Sequence, residues 1–208
     1  YHNLTSKRVS NINLDFSRCN LMSVLNFTPD SFFNSSRVEN RENLRKQIDK
    51  LKLQKVDILD IGAESSRPGA KIITSEEEIK RLKLFFDNID ISQLNFKLSL
   101  DSRNFKTISS FIDYGVLIIN DITGFKDNKF LDLLLNKNVS IIIMHMQNNP
   151  EKMQENPSYE FPVIDIYEFF KAKIKFLLDN GVEKSQIIID PGFGFGKNKN
   201  HNLNLLNY

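Results

Sequence analysis

The 208-residue chain has no tryptophan, eight glycines, six prolines and one cysteine, Cys19. A lone cysteine excludes an internal disulfide and fits a reducing compartment. Cys19 is read as a small, semi-buried residue rather than a nucleophile. Charge of one sign is also lacking: 28 basic and 26 acidic residues leave a net charge of +2. That balance gives no electrostatic case for nucleic acid or an anionic membrane as partner. A small anionic ligand stays compatible, because it needs only a local cluster. No apolar run is long enough to span a bilayer, and the N-terminus does not read as a signal peptide. A cytoplasmic location is therefore expected. The first residue is Tyr1, so the chain is read as beginning inside a longer one.

What is present is the material of one soluble domain. Hydrophobic residues make up 40% of the chain and charged residues 26%, ordinary for a globular protein of a length that buries a sizeable core. The abundance of Asn, Lys, Ile and Phe is a compositional background, not a low-complexity segment.

Apolar patterning divides the chain into alternating strands and helices. A lead-in hairpin or strand is expected over Arg8–Phe16 and a first core strand over Leu21–Asn26, followed by a loop that runs through Thr28–Ser31 to Arg37. Leu44, Ile48, Leu51 and Leu53 predict a helix over Glu42–Gln54. Asp57–Gly62 is a second strand, opening into the polar loop Ala63–Ala70. Thr74 and Ser75 before Glu76, Glu77 and Glu78 signal a helix start, with that helix running to about Phe86. Phe96–Asp101 is a third strand, with a helix from Asn104 to Tyr114 capped by Gly115. A fourth strand covers Val116–Ile119 and ends at Asn120 and Asp121; a helix follows over Asn128–Asn136. The fifth strand, Val139–Met144, ends at His145, and a long helix spans Asp165–Asp179. Ile187–Ile189 is the sixth strand.

Alternation of this kind predicts βα units and a parallel sheet. Most strands end in or beside Asn, Asp, His or Glu. In a (β/α)8 (TIM) barrel all such ends meet on one face, whereas a doubly wound sheet gathers ligands only near a switch point. Six polar ends in succession favour the barrel, with about six of its eight units in this chain and one domain across 1–208.

The most informative stretch is Asp190-Pro191-Gly192-Phe193-Gly194-Phe195-Gly196-Lys197. A carboxylate closes the strand, Pro191 stops the ladder, and alternate glycines let the backbone approach something closely. On residue chemistry alone, bland readings stand beside functional ones. Asp101 is also suited to cap the next helix. Asn120 is also suited to satisfy a loop backbone, and Arg67 to be a solvated charge. Met144 reads as core, and His145 as a hydrogen-bonded structural residue, with no second His or Cys at metal spacing.

Taken in order, the segments resemble one family. They are Leu25-Asn26-Phe27-Thr28-Pro29-Asp30-Ser31-Phe32, Asp60-Ile61-Gly62-Ala63-Glu64-Ser65-Ser66-Arg67-Pro68-Gly69-Ala70, Leu100-Asp101-Ser102, Ile119-Asn120-Asp121-Ile122, Met144-His145-Met146-Gln147 and the loop 190–197. The chain resembles the dihydropteroate synthases of folate biosynthesis from about Asn20 to its end. The resemblance implies a TIM-barrel transferase that condenses 4-aminobenzoate with 6-hydroxymethyl-7,8-dihydropterin diphosphate, assisted by Mg2+, and that is a homodimer at full length. It places the pterin at Asp101, Asn120, Ile122, Met144 and Asp190. It places the diphosphate and aminobenzoate at Ser66, Arg67, Pro68 and Phe193, with Asn26 as metal ligand and with Asn26 and Arg67 serving catalysis. Sulfonamides compete at the aminobenzoate pocket in this family.

The chain also departs from the pattern. Asn34-Ser35-Ser36 stands where the family has an Asp and two glycines, Ala63 replaces a glycine, and Ser66 a threonine. The family's seventh and eighth units, with a pterin-binding lysine and an Arg-x-His, have no counterpart before Tyr208. The chain is accordingly expected to be an N-terminal fragment with little turnover alone. Two alternatives are a pterin- or folate-binding methyltransferase domain and a non-catalytic pterin-binding remnant.

Overall fold

The computed structural model describes residues 12, 14–15, 17–28, 37–64, 72–125, 128–148 and 152–208. Among the described residues six strands alternate with six α-helices: β1 (Met22–Asn26), α1 (Arg37–Leu53), β2 (Ile58–Gly62), α2 (Ser75–Phe86), β3 (Lys97–Asp101), α3 (Phe105–Phe111), β4 (Val116–Asp121), α4 (Lys129–Asn136), β5 (Ser140–Met144), α5 (Pro162–Asp179), β6 (Ile187–Asp190) and α6 (Lys199–Asn207). All neighbouring pairs are parallel and the spatial order is β1-β2-β3-β4-β5-β6. A doubly wound sheet would reverse its order at a switch point. Strictly sequential order is the winding of a TIM barrel, here with six units and not closed: β1 and β6 do not pair.

The main core lies between the sheet and its helices. Leu25, Ile61, Leu100, Ile119, Ile141 and Ile143 meet Leu44, Leu82, Phe85, Ile108, Phe130 and Leu177 there. Phe85 packs edge-on to Phe27 at 6.1 Å between centroids, and Phe86 stacks on Phe111 at 4.3 Å. A second cluster lies on the other face of the sheet, where Ile12 and Leu14 cover Ile58, Ile118 and Ile142.

Helix signals behaved as their chemistry requires where caps are explicit. Thr74 accepts a hydrogen bond from the Glu77 N–H at 3.3 Å, and Gly115 takes the left-handed conformation after Tyr114. Two helices begin earlier than their apolar period shows. α1 starts at Arg37, a residue read as loop, because 37–41 carry a single apolar residue. α5 starts at Pro162, three residues before Asp165, with proline in the first turn where its missing N–H costs nothing. Most of the expected lead-in hairpin lies outside the described residues, and Ile12, Leu14 and Asp15 are not in a strand. Cys19 is exposed rather than semi-buried; it sits between the polar Arg18 and Asn20 ahead of β1.

Candidate active site

Strand residues alternate between faces. Since Leu25, Leu59, Ile61, Leu98, Leu100, Ile119, Ile141 and Ile143 face the helices, the inner face receives Asn26, Asp60, Gly62, Ser99, Asp101, Asn120, Met144 and Asp190. Register brings these into line: Asn26 opposes Gly62, Gly62 opposes Asp101, and Asp101 opposes Asn120. Met144 opposes Asp190 on the next pair. A Cβ at Gly62 would stand 2.6 Å from Asn26 Oδ1 and 3.2 Å from Asp101 Oδ2. The side chains of β1 and β3 therefore lean together across a position that only glycine leaves open.

Asp60 lies one layer below and is 2% exposed. Its Oδ2 accepts a hydrogen bond from Asn120 Nδ2 at 2.9 Å. Burial pushes the Asp60 carboxyl up, and Ser99 and Asn120 beside it pull partly back. Ser99 lies close, yet Asp60 Oδ1 and Ser99 Oγ lack partners of good geometry. Burial also holds the Asp101 carboxyl well above the usual range, with the charge of Asp60 next in weight, then those of Glu78, Glu64 and Asp121. Groups in this state gain from a ligand that brings N–H donors or positive charge.

Six buried side-chain polar atoms lack a hydrogen-bond partner among the described residues, and four belong to this inner face: Asn26 Oδ1, Asp60 Oδ1, Ser99 Oγ and Ser140 Oγ. Buried polar atoms are paired as a rule, so the concentration marks a surface built to meet something polar. Asp121 differs from its neighbour Asn120. Its carboxylate accepts from Thr123 N at 2.8 Å and Phe125 N at 2.9 Å, holding the turn that carries Ile122.

The loop after β6 is tied from within. Asp190 Oδ1 accepts from Gly192 N at 2.7 Å. Lys197, 3% exposed, donates to the carbonyls of Gly192 (2.9 Å), His145 (3.0 Å) and Phe195 (3.0 Å), and its Nζ is 3.1 Å from His145 Nδ1. Burial lowers the Lys197 ammonium to about 8. Burial, then the charge of Lys197, lowers the His145 imidazole to about 4. Gly192 is obligatory: at φ 68° its Cβ would lie 2.2 Å from the His145 carbonyl oxygen. Tyr159 OH donates to the Gly196 carbonyl at 2.8 Å. Phe193, 43% exposed, is left standing outward from this clamped loop.

Residues 22–208 match the family model for pterin binding enzymes. The chain belongs to the pterin-binding enzymes. Within that family it is 34% identical over 193 residues to the dihydropteroate synthase of Haemophilus influenzae, covering 93% of this chain and 70% of that protein. Among solved structures, the Xanthomonas albilineans dihydropteroate synthase with 4-aminobenzoic acid superposes with a TM-score of 0.85 at 30% identity, covering 98% of this chain and 73% of that one. The Yersinia pestis dihydropteroate synthase in a sulfonamide drug complex gives 0.83 at 33%, covering 93% and 70%.

In this pterin-binding enzyme, Asn26, Asp101 and Asn120 stand at one end of β1, β3 and β4, with Gly62 of β2 between the first two, and Met144 and Asp190 lie on the next pair. Ile122 follows β4 and is half-buried, and Phe193 lies in the loop after β6. Ser66, Arg67 and Pro68 fall outside the described residues, as does Asn34-Ser35-Ser36. Sequence reasoning passed over Asp60, Gly62 and Lys197 as site residues. The signal for Asp60 was parity: two residues before Gly62 on a strand, it must share the face of Asn26 and Asp101. Lys197 had no such signal, because its burial depends on a fold of the loop. Among the described residues, no three His, Cys, Asp or Glu are grouped to hold a metal, and no helix is long and apolar enough to cross a membrane.

Proposed function

We propose that the site in this chain is built for the dihydropteroate synthase reaction, which joins 4-aminobenzoate to 6-hydroxymethyl-7,8-dihydropterin diphosphate with release of diphosphate. The observation that carries this reading is the approach of Asn26 and Asp101 across Gly62, with Asn120 in register beside Asp101, on a face rich in unpaired buried polar atoms. A pterin offers an amino group and a ring N–H side by side, a fork that a carboxylate accepts bidentately. Asp101 and Asp190 supply carboxylates at the ends of β3 and β6, and Asn120 supplies both a donor and an acceptor. Met144 and Ile122 provide apolar surface for the ring.

The aniline nitrogen bonds to the pterin methylene as the C–O bond to diphosphate breaks, and the nitrogen gives up a proton. The electron-rich dihydropterin supports positive charge at that methylene, so the residues' task is to position both substrates and favour diphosphate departure. In this reading Ser66 and Arg67 hold the diphosphate, and Pro68 and Phe193 flank the aminobenzoate ring. Asn26 Oδ1 fits Mg2+: it is a buried hard acceptor without a partner, and magnesium typically takes one or two protein oxygens beside phosphates and water. Magnesium held there would neutralise charge on the leaving diphosphate. The reading extends to a single domain over 1–208, a homodimer, and the cytoplasm, whose reducing conditions suit a lone cysteine.

Calorimetric titration with the dihydropterin tests the site, and diphosphate release on adding aminobenzoate tests the reaction. Expected are pterin binding by the 208-residue chain and its loss, about tenfold or more, in Asp190→Ala. A folded chain that does not bind the pterin overturns the reading. Binding without diphosphate release reduces it to pterin binding alone.

A further inference from the structure

We infer that Asp60 is a positioning residue that sets which way the Asn120 amide faces the pterin, an inference that rests on the synthase reading above. Asn120 ends a strand on the site face, and its amide has two nearly equal rotamers related by a flip. One exposes the carbonyl oxygen where the other exposes the NH2 group. A planar heterocycle with fixed donors and acceptors along its edge reads the two as different sites.

The chain removes the ambiguity from below. Asp60 is 2% exposed, one layer deeper and two strands away across β3, and its Oδ2 takes one Nδ2 hydrogen of Asn120 at 2.9 Å. The flipped amide would set its carbonyl oxygen against a carboxylate oxygen inside the protein, where such repulsion is poorly screened. Oδ1 and the second N–H of Asn120 are thereby presented in one order. Asp60 is itself held by the fold: Leu59 and Ile61 on either side are fully buried against the helices. A buried carboxylate is costly to keep, and packing does not need this one, since no helix residue bonds to it among the described contacts. Asp60 does not reach the ligand; it acts through Asn120.

The test is a double-mutant cycle read by calorimetry, titrating the 208-residue chain with 6-hydroxymethyl-7,8-dihydropterin. Asp60→Leu and Asn120→Ala are each expected to weaken binding about tenfold, the worth of one buried hydrogen bond to a ligand. The double variant should bind no worse than about twofold below Asn120→Ala, because the two residues act as one unit. Losses that multiply to about a hundredfold, or wild-type affinity in Asp60→Leu, overturn the inference. Asp60→Asn, which keeps a hydrogen-bonding group at the position, should recover most of the affinity.

A second measurement holds where Asp60→Leu fails to fold. In wild-type chain labelled with 15N-asparagine, one side-chain proton of Asn120 should exchange slowly. Both protons exchanging at the rate of an exposed asparagine overturns the placement itself. A slow Asn120 proton in a wild-type chain that does not bind the pterin overturns the synthase reading, and the role of Asp60 with it.

Discussion

The two faces of one sheet, built from the same strands, differ in what they leave unfinished. On the outer face every strand from β1 to β5 contributes buried aliphatic side chains that meet helices. On the inner face the same strands carry Asn26, Asp60, Ser99, Asp101, Asn120 and Ser140, and four of the six unpaired buried polar atoms among the described residues lie there. Apolar burial is the main favourable term in folding, while unpaired polar burial opposes it. The outer face therefore holds most of the fold, and the inner face, beyond its cluster of Ile58, Ile118 and Ile142, carries buried polar groups that a polar ligand would relieve. Parallel strands buried on both sides would otherwise read as continuous hydrophobic runs, so each polar residue in them departs from what packing alone favours.

The largest effect is expected at Phe85. It is fully buried against Phe27 and Phe86, and Phe85→Ala is expected to destabilise the chain by about 3–5 kcal/mol in urea unfolding. Pterin affinity of the fraction still folded should stay unchanged. A variant that keeps its stability would show that the outer face does not dominate.

Gly62→Ala attacks the other face. The added methyl would press on Asn26 Oδ1 at 2.6 Å and Asp101 Oδ2 at 3.2 Å. Overpacking of this kind costs about 1–3 kcal/mol. Pterin affinity should fall about tenfold or more, since both ligand-facing groups must move. Calorimetry with unchanged affinity would mean that Asn26 and Asp101 do not bind together.

The strand ends were legible before the fold was known because a period of two and a terminal carboxylate are local features. Asp101, Asn120 and Asp190 stood at the ends of short apolar-patterned runs, and the structure leaves Asp101 and Asp190 last in β3 and β6 and Asn120 next to last in β4. Gly192 was legible for the same reason, since a glycine after a strand-ending proline announces a turn. What escaped was long-range. The Asp60–Asn120 bond joins residues 60 apart, and the Lys197–His145 contact joins residues 52 apart. A buried lysine that clasps three carbonyls looks, in sequence, like any surface lysine after a glycine loop. The early start of α1 was missed because its first turn has almost no apolar residue to mark a face.

The buried His145–Lys197 pair at the loop makes stability depend on pH. The His145 imidazole is lowered to about 4 in the fold against 6.5 when unfolded, and burial is the main cause. The unfolded chain thus binds the proton more tightly. Stability from this group is full above pH 6.5 and falls as pH drops toward 4. Some solvent reaches the ring, so roughly 1–2 kcal/mol is expected over that window. Lys197, lowered to about 8, acts in the same sense: stability rises as pH climbs from about 8 towards 10.5. Tyr159 and Phe169 pack on the imidazole, and Lys197 and Asp165 are the charges that act on it. Unfolding curves of wild type and His145→Gln between pH 4 and 6.5 check the effect. Curves that keep the same spacing at both ends would assign the acid sensitivity to carboxylates held low by cationic partners, such as Glu76 beside Lys106, instead.

The smallest effect tests whether the two faces are separable at all. Thr74 caps α2, accepting from Glu77 N, and α2 packs only on the outer side through Leu82, Phe85 and Phe86. Thr74→Ala removes one hydrogen bond at a helix end and should cost about 1 kcal/mol, visible as a small shift of the urea midpoint. Because Thr74 lies on the helix layer and makes no contact with Asn26, Asp101 or Asn120, affinity for the dihydropterin should hold within about twofold. A tenfold loss would mean that the position of α2 is transmitted through Ile61 and Leu100 to the inner face. The sheet would then behave as a single coupled body rather than as a stable outer face supporting an unfinished inner one.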